Sequence, residues 1–87
     1  MLENKIKNKI NKLQDSNKTA IAFNRDNTLQ YNNYLIKHLE EILSSNNIKK
    51  ELNNKIDKLS QSKKIDENTN KYTYTYNVYL DLKRLKK

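Results

Sequence analysis

Not one of the 87 residues is glycine. Backbone at positive φ must therefore be carried by a residue with a Cβ. Asparagine tolerates that conformation best, because its short amide can bond locally. Any left-handed helix cap in this chain falls to one of its 15 asparagines. The same absence removes every glycine-rich phosphate loop and the dinucleotide fingerprint, which depend on close backbone approach.

Other chemistries are excluded as directly. There is no cysteine, so neither a disulfide nor a thiolate zinc site can form. The single histidine, His38, has Glu41 three residues on; zinc needs three or four ligands, and His38 reads as a rim histidine packing its ring. Ser16, Ser44, Ser45, Ser60 and Ser62 lie in breaks or turn-like segments, without the base that nucleophilic catalysis requires. The carboxylate pairs Glu40-Glu41 and Asp66-Glu67 read as solvated surface. The chain is expected not to be an enzyme, to take no cofactor, metal or small-molecule substrate, and to act by binding.

Apolar spacing places the helices. Leu2, Ile6, Ile10 and Leu13 recur at helical intervals, predicting a helix over 2–14 that breaks at Asp15-Ser16-Asn17. Residues 28–45 carry the broadest apolar face: Leu29, Tyr31, Leu35, Ile36, Leu39, Ile42 and Leu43. Asp26 or Asn27 is available to cap that helix. After a break at 44–47, Ile48, Leu52, Ile56 and Leu59 predict a third helix over 48–60. Residues 8–13 match 54–59 at five of six positions, and with so few residue types in use we read the match as coincidence.

Residues 19–24 fit a short strand with Ile21 and Phe23 on one face, and equally fit a continued helix, since Ala20 and Ala22 favour one. From 71 to 82, tyrosine, valine and leucine alternate with polar residues, which predicts a strand. A strand needs a ladder for its backbone groups. Residues 19–24, residues 61–65 across a turn at 66–70, or a second copy could each supply one. Residues 83–87 read as a basic, frayed tail.

The expected fold is a single small domain over 1–87, α+β and mainly α. It has about three amphipathic helices and a C-terminal tyrosine-rich strand or hairpin. In element order alone, over most of the chain, this resembles a winged helix domain. That resemblance implies that the third helix reads DNA and that Lys63, Lys64 and Lys71 flank the wing. The second helix is long for that fold, and the wing lacks glycine.

The net charge is +8, which points to nucleic acid or another acidic surface. Codon usage offers a competing account. Asn, Lys, Ile and Tyr, all with A/T-rich codons, fill over half the chain, and lysine outnumbers arginine 16 to 2. The residues expected at a nucleic-acid surface are Lys49, Lys50, Asn53, Asn54, Lys58, Lys63, Lys64 and Lys71. The residues expected at a protein or dimer interface are Tyr72, Tyr74, Tyr76, Val78 and Leu80, since tyrosine is enriched at interfaces; Tyr72, Tyr74 and Tyr76 equally fit packing over the helices as core, and the row flanked by Lys71, Lys83 and Arg84 also fits stacking of the bases of a single strand.

The expected function is that of a small basic nucleic-acid-binding regulator or accessory factor, of the kind a virus, phage or plasmid carries. The alternatives are a protein interaction module or phage-type inhibitor acting through the tyrosine strand, or a structural subunit. A chain this short buries only about 60–65% of its unfolded surface, so a homo-oligomer is expected to complete its thin core. Charged residues interrupt the first fifteen positions and no apolar run nears the ~20 residues of a membrane span. No membrane partner is therefore expected, and the compartment is expected to be cytoplasmic (intracellular). On that ground the sequon Asn17-Lys18-Thr19 reads as chance.

Overall fold

The computed structural model describes residues 1–86. It contains helices α1 (Leu2–Ala22), α2 (Asp26–Leu43), α3 (Ile48–Leu59) and α4 (Tyr74–Leu85). Between α3 and α4 lie two short strands, β1 (Ile65–Asp66) and β2 (Lys71–Tyr72), paired antiparallel with Ile65 opposite Tyr72 and Asp66 opposite Lys71. The fold is thus α+β and mainly helical. α1 and α2 form one packed pair, α3 and α4 a second.

The core is one cluster to which every helix contributes. Ile6 and Leu13 come from α1, Leu35, Ile36, Leu39 and Ile42 from α2, Leu52 and Ile56 from α3, and Val78 and Leu82 from α4. Each set recurs at three- or four-residue spacing, so each helix turns one stripe inward.

α1 does not stop at residue 14. The predicted break at Asp15-Ser16-Asn17 lies inside a 21-residue helix. Its buried residues Ile6, Leu13 and Ala20 are seven apart. Asn17 extends that seam, and Ser16 and Asn17 find partners across the pair, although Asn17 Oδ1 is buried with no hydrogen-bond partner among the described residues. Asn32, itself buried, donates from Nδ2 to Ser16 Oγ at 3.1 Å, and Asn17 Nδ2 donates to Asn33 Oδ1 at 3.0 Å. Residues 19–22 are therefore helix, and Phe23 is the cap.

The turn from α1 to α2 shows asparagine in glycine's place. Asn24 has φ 55°. Its N–H bonds to Ile21 O at 3.3 Å while Arg25 N–H reaches Ala20 O at 2.8 Å, the paired bonds of a Schellman cap. Asn70, at φ 56°, plays the same part where the hairpin loop re-enters β2. α2 begins at Asp26 with Arg25 as its N-cap and no side-chain cap bond, so neither Asp26 nor Asn27 caps it.

The predicted strand over 71–82 is overturned. Strand pairing ends after Tyr72, and Thr73 starts a helix by accepting the Tyr76 N–H at 3.1 Å. The alternation was real but ambiguous, because Tyr74, Val78, Leu82 and Leu85 also recur at helical spacing. Extended, residues 73–82 would need a ladder that the two-residue β1 cannot provide; as a helix they bond internally. The winged helix order fails with the strand: no strand separates α1 from α2, and α4 follows the hairpin. Of the predicted basic tail, Lys83, Arg84 and Leu85 belong to α4 and Lys86 caps it. Lys87 lies outside the described residues.

Candidate nucleic-acid interface

Three helix ends meet at one place. The start of α1, the start of α3 and the end of α4 enclose a cleft of 340 Å³. Leu2, Leu52 and Leu85 line its apolar floor, and Lys5, Lys49 and Lys86 its rim, beside Met1. Lys49 and Asn53 are shared with a shallower hollow of 260 Å³, completed by Asn47, Lys50 and Asn54. No carboxylate lines either depression among the described residues. Asn53 is half-buried between them, and its Oδ1 has no hydrogen-bond partner among the described residues. Lys9 and Lys12 continue from Lys5 at four and seven residues, along the same flank of α1.

Most of these cations stand outside the ion pairs of the described residues. Lys9, Lys12, Lys49, Lys50 and Lys86 form no ion pair with any described residue, while five carboxylates are engaged elsewhere: Glu3 with Lys7, Asp15 with Lys18, Glu41 with Lys55, Glu67 with Lys63, and Asp81 with Arg84. The local backbone adds to the field. Lys49 and Lys50 stand in the first turn of α3, where the helix dipole is already positive.

The expected nucleic-acid residues therefore divide. Lys49, Lys50, Asn53 and Asn54 come together at the start of α3. Lys58 sits in the last turn of the same helix, beside Asp57. The hairpin lysines form a separate group. Lys63 pairs with Glu67 at 3.1 Å, Lys64 lies over the Tyr72 and Tyr76 rings, and Lys71 lines a 710 Å³ hollow beside Tyr72, Tyr74 and Asn77.

The expected interface residues are scattered by the change from strand to helix. Tyr72 is 48% exposed in β2, and Tyr74 is 38% exposed and packs edge-on to Tyr31. Tyr76 and Leu80 are half-buried on α4. Val78 is fully buried in the core and cannot reach a partner, which corrects its assignment to an interface. Sequence reasoning missed Leu2, Lys5, Leu85 and Lys86, because only the fold brings the two ends of the chain to α3. It also missed Tyr79, whose helical spacing from Tyr72 and Tyr76 was hidden by the alternating pattern.

Away from the cleft, His38 lies between α2 and α3 with its ring edge-on to Tyr34. Lys55 Nζ is 3.2 Å from His38 Nδ1 and 2.8 Å from Glu41 Oε1. Burial and the Lys55 charge hold the His38 pKa below the ordinary imidazole value, and a neutral ring with unprotonated Nδ1 can accept from that ammonium. The Lys55 hydrogen bond holds Glu41 below the usual carboxylate range. Among the described residues, no three His, Cys, Asp or Glu side chains converge on a point that could hold a metal ion. Nor is any helix of the described residues long and apolar enough to cross a membrane.

Comparisons with protein-family models, curated proteins and solved structures found no match.

Proposed function

We propose that this protein is a small nucleic-acid-binding factor that grips the phosphate backbone with the face formed by α1, the start of α3 and the end of α4. The observation that supports this most is the gathering of Lys49, Lys50 and Lys86, none in an ion pair with a described residue, around two depressions that no described carboxylate lines. Composition drift can enrich lysine along a chain. It gives no reason for Lys9, Lys12, Lys49, Lys50 and Lys86 to share one flank while Glu3, Asp15, Glu41, Glu67 and Asp81 pair elsewhere, although Glu51 shares a further hollow with Lys50 and Asn54.

The chemistry of the face favours backbone contact over base reading. Its cations are lysines, compact point charges without the planar fork with which arginine grips guanine bidentately. Asn53 and Asn54 stand among them, and amides also bond phosphate oxygens. Binding should thus be strongly salt-dependent and weakly sequence-dependent, as suits an accessory factor.

The test is a titration of labelled duplex DNA, single-stranded DNA and RNA at several salt concentrations. Phosphate contact makes log affinity fall linearly with log salt, by about 0.9 per phosphate neutralised on duplex DNA. The expected slope is several units, and combined Lys49→Gln, Lys50→Gln and Lys86→Gln substitution reduces it. Affinity weaker than roughly 10⁻⁴ M near physiological salt, or a slope that the triple variant leaves unchanged, overturns the reading.

A further inference from the structure

We infer that the outer face of α4 is a base-stacking track, so that the form of nucleic acid this protein selects is an unpaired single strand. This rests on the phosphate-binding reading above and adds the class of ligand to it.

The track is a line of side chains at helical spacing. Tyr72 at the end of β2 is followed by Tyr76, Tyr79, Lys83 and Lys86, at intervals of four, three, four and three. The rings adjoin: Tyr72 and Tyr76 have centroids 5.1 Å apart, Tyr76 and Tyr79 6.0 Å. Lys64 Nζ stands 5.8 Å from both the Tyr72 and the Tyr76 ring centres, and Lys83 Nζ 5.1 Å from that of Tyr79. From Tyr76 to Lys86 the line covers about 15 Å of helix and ends at the basic cleft, whose rim includes Lys86.

Core packing does not account for Tyr72 and Tyr76. Tyr31, Tyr34 and Tyr79 lie against the buried cluster, but Tyr72 and Tyr76 do not. Leu80, one turn beyond Tyr76, is half-buried without joining that cluster either. Nor is the face shaped for a second copy of the chain. Its charged side chains are lysines at both ends, and the nearby Asp81 is held by Tyr31 and Arg84 on another flank. A symmetric contact would lay cation against cation. An anionic chain that carries flat rings complements both features. Lysines supply phosphate contacts while tyrosine faces receive bases, and only unpaired bases expose a face to receive.

The experiment compares three ligands of equal length by fluorescence anisotropy: a single-stranded oligodeoxynucleotide, the same strand made fully abasic, and the duplex. The abasic strand keeps the phosphates and removes the stacking partners. Wild-type protein should bind the base-bearing strand at least about fivefold more tightly than the abasic strand, the lower end of what one base–aromatic stack is worth. Tyr76→Leu, with folding checked by circular dichroism, should reduce that preference by at least about fivefold, one stack, and leave affinity for the abasic strand and its salt slope intact. Equal binding of the two strands by wild-type protein overturns the stacking track and leaves phosphate binding standing, as does a preference that Tyr76→Leu leaves undiminished. Failure to bind either strand overturns both. A doubled mass in sedimentation that reverts to monomer in Tyr76→Leu shows the face to be a homotypic interface, and also overturns the track.

Discussion

Lys50 occupies the third position of α3, where two demands oppose each other. Its backbone N–H is capped by the Asn47 side chain at 3.1 Å, yet its own side chain puts a positive charge at the positive end of the helix dipole. A glutamate there would do the opposite. It would suit the dipole and could reach back to the Asn47 N–H, completing a capping box. Removing the unfavourable cation and adding a favourable anion are each worth about 0.3–1 kcal/mol at an exposed position. Lys50→Glu should therefore stabilise the fold by about 1 kcal/mol, a rise of about 4–8 °C in Tm for a domain of this size. The same substitution should weaken nucleic-acid binding and lower the salt slope by at least about 0.7 on single strands or 0.9 on duplex DNA, one phosphate contact. Lys18→Glu is the control. It changes net charge equally but lies thirteen residues from Lys5, about 20 Å along α1, and should leave the slope unchanged. Thermal denaturation and a salt titration on the same samples decide the matter. A fall in Tm refutes the dipole argument; a higher Tm with an unaltered slope shows that Lys50 touches no phosphate.

Leu39 is fully buried at the centre of the cluster, and Leu39→Ala should cost about 2–5 kcal/mol in urea unfolding; a cost near zero would place α2 outside the core. Tyr31 donates to Asp81 Oδ2 at 2.5 Å, and burial and that bond push its pKa well above the ordinary phenol value. Tyr31→Phe should destabilise by about 1–3 kcal/mol, and spectrophotometric titration should lose the last phenol to ionise. The lowered pKa of His38 makes the unfolded chain bind protons that the folded chain refuses. Stability should then fall as pH drops through about 6.5, and His38→Gln should flatten the profile there. Glu41, also lowered, acts in the same direction: its contribution is present above the ordinary carboxylate value and is lost as pH falls through its folded value.

The apolar stripes of α2 and α3 were legible because nothing competes with them: Leu35, Leu39 and Ile42, and Leu52 and Ile56, fit only a helical period. α1 was legible for half its length. Ser16 and Asn17 read as breakers because such side chains compete for backbone bonds, but here they are engaged by Asn32 and Asn33, 16 residues away, a tertiary fact no local pattern carries. The tyrosine segment failed for another reason. Tyr74, Tyr76, Val78, Leu80 and Leu82 satisfy a two-residue period, while Tyr74, Val78, Leu82 and Leu85 satisfy a helical one, and the choice was made by what lay available to pair with. Of the candidate face, Lys49, Lys50, Asn53 and Asn54 were visible as neighbours on one helix. Lys5 and Lys86 were not, being 81 positions apart in sequence.

A chain written mostly in lysine, asparagine, isoleucine and leucine has an indexing problem. Similar segments, such as 8–13 and 54–59, could engage a partner helix at several offsets with little difference in apolar burial. The Ser16–Asn32 and Asn17–Asn33 pairs break that degeneracy. Sliding α2 along α1 by one turn, about 5.4 Å, would bury the Asn32 amide against carbon and forfeit its bond, at a cost of about 1–3 kcal/mol. The residue type that a biased alphabet supplies in excess thus works as a key, admitting one alignment of two otherwise interchangeable stripes, while Asn24 turns the corner that makes the alignment reachable.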